Sequence, residues 1–498
     1  MKGLGVARVV LVGAAGAGLV FGAGHLPGDL ELSPLAAAAP GSGTAADTAP
    51  VSERGLLCPG PERLGAKGGL KDRQSVQAVA AAAPSAVVPA AQRSSAPGQL
   101  QVRRLPGHGS NGRLRAGAHA TVGRPESLLF LARGAAAPGA AAVQYSLVRS
   151  GNHRGLSTVA CGASRAESWL VAGGAEPGRL EHVVLVNPAA NAVTVDLEVL
   201  GSAGPVDSDS GSGLLVPPHG RTVVLLDSIA ASERTPVVHV TAHGGEVYAA
   251  IEDSWLDGVV PRGGDTSTAT ATPSREQVIG GIRVDGPAAL RVAVPGDAEA
   301  VVQTRVLTPK GPRRVKHDVV RIPAHAARDI DLSDLPAGPY ALQVHADVPV
   351  VASALVQRDR SGRGASAALD RTASDLAWSP SSPAVDGVAG SPLPPAGAAG
   401  TSNVLMLGNT GVAAPVVVTT VGRGGTATSR TVRVPADAVS ALHLPSAASV
   451  WVRPRGGSVH GAVLTTAQGT DGGTLTAALP LVSEPLTSTT VPIRPARD

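Results

Sequence analysis

"HVVLVNPAANAVTVDLEVLG", residues 182–201, decides how this chain is read. Val193, Val195, Leu197 and Val199 alternate with Thr194, Asp196 and Glu198. Successive side chains of a strand point to opposite faces, so strict period two marks a strand with one face buried and the other in water. The "NPAAN" ahead of it has the Asn and Pro chemistry of a turn. After it come a Gly/Ser-rich loop at 201–213 and then "LLVPPHGRTVVLLDSI", whose prolines point to an edge strand or a crossing between sheets. "VVHVTAHGGEVYAAIEDSW" reads as a closing hairpin around His243-Gly244-Gly245.

The same order recurs along the chain. "EVYAAIEDSW" at 246–255 has counterparts in "AAVQYS" at 141–146, "ASALVQRD" at 352–359 and "HGAVLTTAQ" at 460–468. Aligned on these phrases, Gln144, Glu252, Gln357 and Thr465 are equivalent, at steps of 108, 105 and 108 residues. Val216-Pro217-Pro218, Ile322-Pro323-Ala324 and Val434-Pro435-Ala436 recur at similar steps, 106 and 112 residues. A unit of this length, with six or seven short strands and frequent turn signals, fits a two-sheet β-sandwich; a propeller blade needs only about 40–50 residues. The expected fold is all-β: about four tandem immunoglobulin-like β-sandwich repeats after an N-terminal hydrophobic helix. The expected boundaries are 1–26 for a signal peptide or single transmembrane anchor and 27–55 for a flexible Ala/Gly/Pro linker. A diverged repeat then spans 56–165, and three further repeats span 166–271, 272–385 and 386–498.

Composition agrees with this layout. Of 498 residues 43% are hydrophobic, but only 2% are aromatic, so Val, Leu and Ala must fill the cores. Gly (62) and Pro (41) are abundant, which favours turns over long helices. A formal charge of +4 is small for the length, and no basic cluster is interleaved with aromatics, which argues against nucleic-acid binding. The densest basic stretch, "RVLTPKGPRRVKHD" at 305–318, reads as a solvated hairpin loop, with contact to an anionic envelope polymer as the sharper alternative.

The start of the chain places the rest of it. Lys2 and Arg8 precede an uncharged run at 9–24 that breaks at "HLPGD", the pattern of an export signal. As a helix that run is about 24 Å long, short of the roughly 30 Å hydrocarbon core, so cleaved signal and retained anchor both stay open. Either way the bulk of the chain is expected outside the cytoplasm, anchored to the membrane or secreted. There the two cysteines, Cys58 and Cys161, are best used as one disulfide.

Chemistry is sparse. His239, His243 and Glu246 in "HVTAHGGE" share strand spacing, but a third metal ligand is not fixed, and exposed hairpin histidines are the plainer reading. Asp207 and Asp209 precede Gly211 without the closing glutamate of a calcium loop. Ser164 and His153 stand on no nucleophile elbow. Glu252 and Asp253 are adjacent, so on a strand they face opposite ways and cannot flank one glycosidic bond. No catalytic, cofactor or metal site is expected. For sugar stacking the candidates are the tryptophans: Trp169 and Trp451 sit in strand-like patterns and should pack in cores, while Trp255 and Trp378 are the surface-binding candidates.

Taken together, "LLCPGPE" (56–62), "VACGASRAESWLVAGG" (159–174), "LVNPAANAVTVDLEVLG" (185–201), "VPPHG" (216–220) and "GEVYAAIEDSW" (245–255) resemble a family of uncharacterised actinobacterial envelope proteins. Members are secreted or membrane-anchored and of unknown function. The resemblance implies an extracytoplasmic location and supplies no catalytic residues. The expectation is a non-enzymatic envelope protein with a structural or adaptor role. A cell-wall glycan-binding protein is the alternative, and an extracellular hydrolase a distant third. Expected partners are envelope proteins or cell-wall polysaccharide, with the membrane met through the N-terminal segment.

Overall fold

Each repeat forms eight strands, and the second repeat shows why. Its strands are Glu167–Val171, Arg179–Asn187, Val193–Gly201, a fourth split into Gly204–Pro205 and Leu214–Val216, Gly220–Leu225, Val237–His243, Tyr248–Asp257 and Val260–Thr268. One antiparallel sheet runs in the order 1-6-3-4 and the other 5-2-7-8. The alternation read from Val193 to Val199 is real: the valines and Leu197 join the core between the two sheets, while Thr194, Asp196 and Glu198 point outward. The structure, a computed structural model, describes residues 47–61, 76–106, 112–114, 118–122, 126–316, 318–359, 373–395 and 400–490. The expected signal or anchor at 1–26 and most of the linker lie outside these residues. Among the described residues no helix is long and apolar enough to cross a membrane.

The same two strand orders occur in the other three repeats, over 53–161, 274–380 and 389–481. This pairing keeps two immunoglobulin neighbours, second beside fifth and third beside sixth, but not first beside second or seventh beside sixth of the seven core strands A to G. Here the first strand lies beside the sixth and the seventh beside the second. The likeness is therefore one of two-sheet architecture and of those two pairings.

Other expectations are corrected. The recurring phrase is the seventh strand, not the last, because an eighth follows it each time. His243-Gly244-Gly245 does not close a hairpin: Val237–His243 and Tyr248–Asp257 belong to different sheets, so the glycines carry a crossing. In the third repeat the two are one continuous strand, Gly338–Asp359, which leaves one sheet and enters the other. The true hairpin joins the seventh and eighth strands across the two-residue loop Gly258-Val259, with Gly258 at φ 62°. The proline tripeptides do mark a crossing between sheets. Each is followed by a residue in the left-handed region, His219, His325 or Asp437. In two repeats an asparagine at the end of the second strand ties this turn down: the Asn187 and Asn409 amides donate to the carbonyls of Pro217 and Pro435. The linker also ends sooner than expected. Asp47–Pro50 is a strand, the first repeat begins at Glu53, and half-buried Arg54 pairs with Glu484 near the other end of the chain.

The repeats are not separate beads. Residues Thr48–Thr489 form one compact unit; the other unit, Met1–Asp47 with Thr490–Asp498, lies almost wholly outside the described residues. Within Thr48–Thr489 each sandwich packs on the next, and the fourth returns to the first. Leu57 and Leu131 of the first meet Val184, Val186 and Tyr248 of the second. Trp378 and Leu376 of the third enter the core of the second. Met406 and Ala462 of the fourth enter that of the third, and Leu156 of the first packs on Leu475 and Ala477 of the fourth. The third–fourth contact needs glycine: a Cβ on Gly281 would collide with the Met406 side chain.

Candidate functional site

The eighth strands of the four repeats, Gly155–Cys161, Val260–Thr268, Ser374–Pro380 and Thr474–Leu481, contact one another in a cycle. Each is the edge of its own sheet, and an edge offers backbone N–H groups that must find acceptors once buried. Side chains of the neighbouring repeats supply them. The Thr266 N–H donates to Ser157 Oγ at 3.1 Å, linking the second repeat to the first. The Trp378 N–H donates to Asp265 Oδ2 at 2.8 Å, linking third to second. Asp375 Oδ2 accepts from Leu156 of the first repeat (3.2 Å) and Thr476 of the fourth (2.8 Å). Arg154, 2% exposed, donates to the Ser374 carbonyl at 2.7 Å and pairs with Asp471 at 3.2 Å.

Burial at this hub sets its protonation. Asp375 is fully buried, and the loss of water pushes its pKa up to about 8, against the pull of the N–H groups and Arg154. Burial likewise raises Asp265 well above the carboxylate range. A carboxyl that holds its proton to about pH 8 when folded, and releases it near pH 4 when unfolded, binds a proton on folding. Its contribution to stability is therefore largest below the unfolded pKa and is lost as pH rises through the window up to the folded one. The unfolding midpoint should fall between about pH 5 and pH 8, with a slope from this one group of at most about 1.4 kcal/mol per pH unit. Asp375→Asn keeps an acceptor oxygen and removes the titration, so it should flatten the slope. Urea melts across that range check this; a midpoint that rises with pH, or an unchanged slope in the variant, refutes it.

A second buried network joins the second and third repeats. Arg179, on the second strand, donates from Nε and Nη2 to Asp253 on the seventh at 2.9 and 2.6 Å. Asp253 is 0% exposed and also accepts from the Trp378 indole N–H at 2.7 Å. Burial works against the Arg179 charge, but Asp253 and Glu176 outweigh it and raise the guanidinium pKa. Glu181 lies 3.6 Å away and is pushed up to about 7, first by burial and then by the charge of Asp253. In the third repeat Arg291 sits over the Trp378 ring, pairs with both oxygens of Asp329, and donates to the carbonyls of Gly173, Arg234 and Pro236 in the second.

The residues singled out from sequence are now placed. Cys58 and Cys161 are bonded, joining the first and eighth strands of the first repeat across its two sheets. Trp378 is 1% exposed, so its expected surface role is wrong: the irregular segment around it is an eighth strand covered on both faces. Trp255 is half-buried, donates to the Pro177 carbonyl, and has the Arg179 and Arg262 guanidiniums over its ring. Trp169 and Trp451 are core residues. His239 stacks on Trp169 with ring centroids 4.0 Å apart and meets Glu167 and Glu198; His243 pairs with Asp196. Glu246 accepts from Ser164 instead of joining the histidines. Among the described residues no group of three or more His, Cys, Asp or Glu is arranged to hold a metal ion. Asp253 and Glu252 do point opposite ways, one into the protein and one toward the surface. Sequence reading missed Arg154, Arg179, Asp265, Arg291 and Asp375. The signal for Asp375 is a charge inside an otherwise small or apolar strand, "SDLAWSP", where every residue is buried.

Fold and site together define a class: an all-β protein of four pseudo-equivalent two-sheet modules locked by shared apolar cores and buried ion pairs. The chain belongs to a family of unknown function (DUF5719), whose profile matches residues 113–445. No curated protein matches it. One solved structure, the tetra-tandem repeat in the extending region of a large adhesion protein, is 16% identical over 82% of this chain and 90% of its own. Its TM-score is 0.09, too low to bear on the fold.

Proposed function

We propose that the protein is a non-catalytic scaffold or adaptor of the cell envelope, exported through residues 1–26 and retained by them or released. One observation carries the reading: the ionisable groups that the fold gathers in its interior join one repeat to another. Asp253, Asp265, Arg291 and Asp375 are buried, and each bonds to a neighbouring repeat. A catalytic acid or base needs a substrate within hydrogen-bond reach. The disulfide supports life outside the reducing cytoplasm.

Crosslinking in intact cells tests this. The expected result is envelope protein neighbours captured from outside the membrane, with Cys58 and Cys161 protected from alkylation until reductant is added. Capture of cytoplasmic partners alone, or free thiols in the cell, sinks it. The glycan-binding alternative keeps one residue, half-buried Trp255. It expects quenching of tryptophan fluorescence by wall polysaccharide that Trp255→Phe abolishes.

A further inference from the structure

The fourth strand is interrupted in both the second and third repeats, by a loop at 206–213 and by one that begins after Arg313. In the second repeat this loop carries Asp207 and Asp209; in the third it carries Arg314 and Lys316, next to Arg313. Because equivalent loops hold opposite charges, the cations are not required by the fold. In the third repeat the loop faces the turn after Ala327–Asp331, and a cavity of about 270 Å³ lies between them. Val315, Leu332 and Leu335 give it an apolar floor continuous with the core of the repeat, and Arg313, Arg314 and Lys316 line its rim.

Among the described residues, neighbouring Arg305 and Arg321 have carboxylates at 3.4 and 2.7 Å, whereas Arg313, Arg314 and Lys316 have none within 4.0 Å. All three are exposed. Two carboxylates share the lining, Asp331 and Asp334. Asp331 accepts from the Ser333 N–H of its own turn, and three cations against two carboxylates leave the lining positive. A net positive charge beside a concave apolar floor attracts an anionic counter-ion. Guanidinium forks match carboxylate and phosphate oxygens in pairs, and the apolar floor suits the carbon skeleton between them.

We infer that this cavity of the third repeat binds an anionic glycan-type polymer, its Arg313, Arg314 and Lys316 holding the phosphate or carboxylate groups strung along it. The inference rests on the extracytoplasmic reading above and gives the scaffold a polymer to hold. Binding is electrostatic in its main part, so it weakens steeply as salt is raised from about 50 to about 200 mM.

The test titrates the purified full chain with an oligomer of glycerol phosphate, an oligomer of galacturonate, and neutral dextran. Tight, salt-sensitive binding of either anionic oligomer is expected, and which one binds names the anionic group. Joint replacement of Arg313, Arg314 and Lys316 by Gln should weaken binding about tenfold or more, and Asp334→Asn should tighten it. Arg430→Gln, an exposed cation on the fourth repeat, should change nothing. Circular dichroism reports whether the triple variant is folded, and the single Arg314→Glu substitution serves as a milder probe. The inference is overturned if neither anionic oligomer binds at low salt, if dextran binds equally, or if Arg430→Gln weakens binding as much as the triple change. Such failure leaves the scaffold reading standing, because crosslinking to envelope proteins does not depend on these cations.

Discussion

Asp253→Ala should cost about 3–5 kcal/mol, the typical penalty for removing one partner of a buried ion pair. The substitution leaves the Arg179 guanidinium, 1% exposed, without its bidentate acceptor, and it strips the Trp378 indole N–H of its only bonded oxygen at the contact between second and third repeats. Coulomb attraction does not make the pair valuable; the loss comes from a charge stranded where water cannot reach it. The neighbouring Glu181 gives the prediction a second, finer part. Asp253 helps to hold the Glu181 pKa up near 7, so removing Asp253 should lower it. Glu181, already 3.6 Å from Arg179, would then be ionised at neutral pH and take over part of the pairing. The penalty should accordingly be smaller at about pH 8 than at about pH 5. Urea denaturation of wild type and variant at both values measures this. A loss below about 1 kcal/mol at the lower pH would mean that Arg179 is hydrated or held by Glu176 alone.

Much of the fold was legible and most of the site was not, for one physical reason. Period two from Val193 to Val199 reports a strand with one face in water, and that strand is as read. The run "VVLV" at 183–186 reports something different. Val183 and Leu185 face the core of the second repeat, while Val184 and Val186 face the first repeat, so both sides are apolar and buried. Continuous apolar strands of this kind signal cover on both faces. The same holds for "YAAI" at 248–251, and that signal could have shown that the repeats pack together. The count of repeats and the disulfide partners follow from local pattern and from cysteine number. The hub does not, because Asp265 and Asp375 gain their roles from contacts more than a hundred residues away in the chain. Trp378 fails for the same reason: its segment is irregular in sequence because both faces are buried and neither alternates.

Reducing Cys58–Cys161 should be the other large perturbation. The bond closes a loop of 103 residues, and constraining the unfolded chain over that length contributes about 4–5 kcal/mol in the chain-entropy account. Its place in the fold determines where the loss will be felt. Cys58 ends the first strand of the first repeat, whose neighbour Leu57 packs against Val184 and Tyr248 of the second. Cys161 ends the eighth strand, which carries Leu156 against the fourth repeat and donates the Leu156 N–H to Asp375 of the third. The disulfide thus fixes two strands that between them contact each of the other repeats. Cys58→Ala with Cys161→Ala, or treatment with reductant, should lower the unfolding midpoint. Hydrogen exchange should rise first in Glu53–Cys58 and Gly155–Cys161, while strands of the third and fourth repeats such as Val459–Gln468 stay protected. If exchange instead rises evenly over all four repeats, the cycle unfolds as one cooperative body and the bond protects the whole of it. If neither midpoint nor exchange moves, the interfaces alone hold the first repeat, and the chain would need no oxidising surroundings to fold.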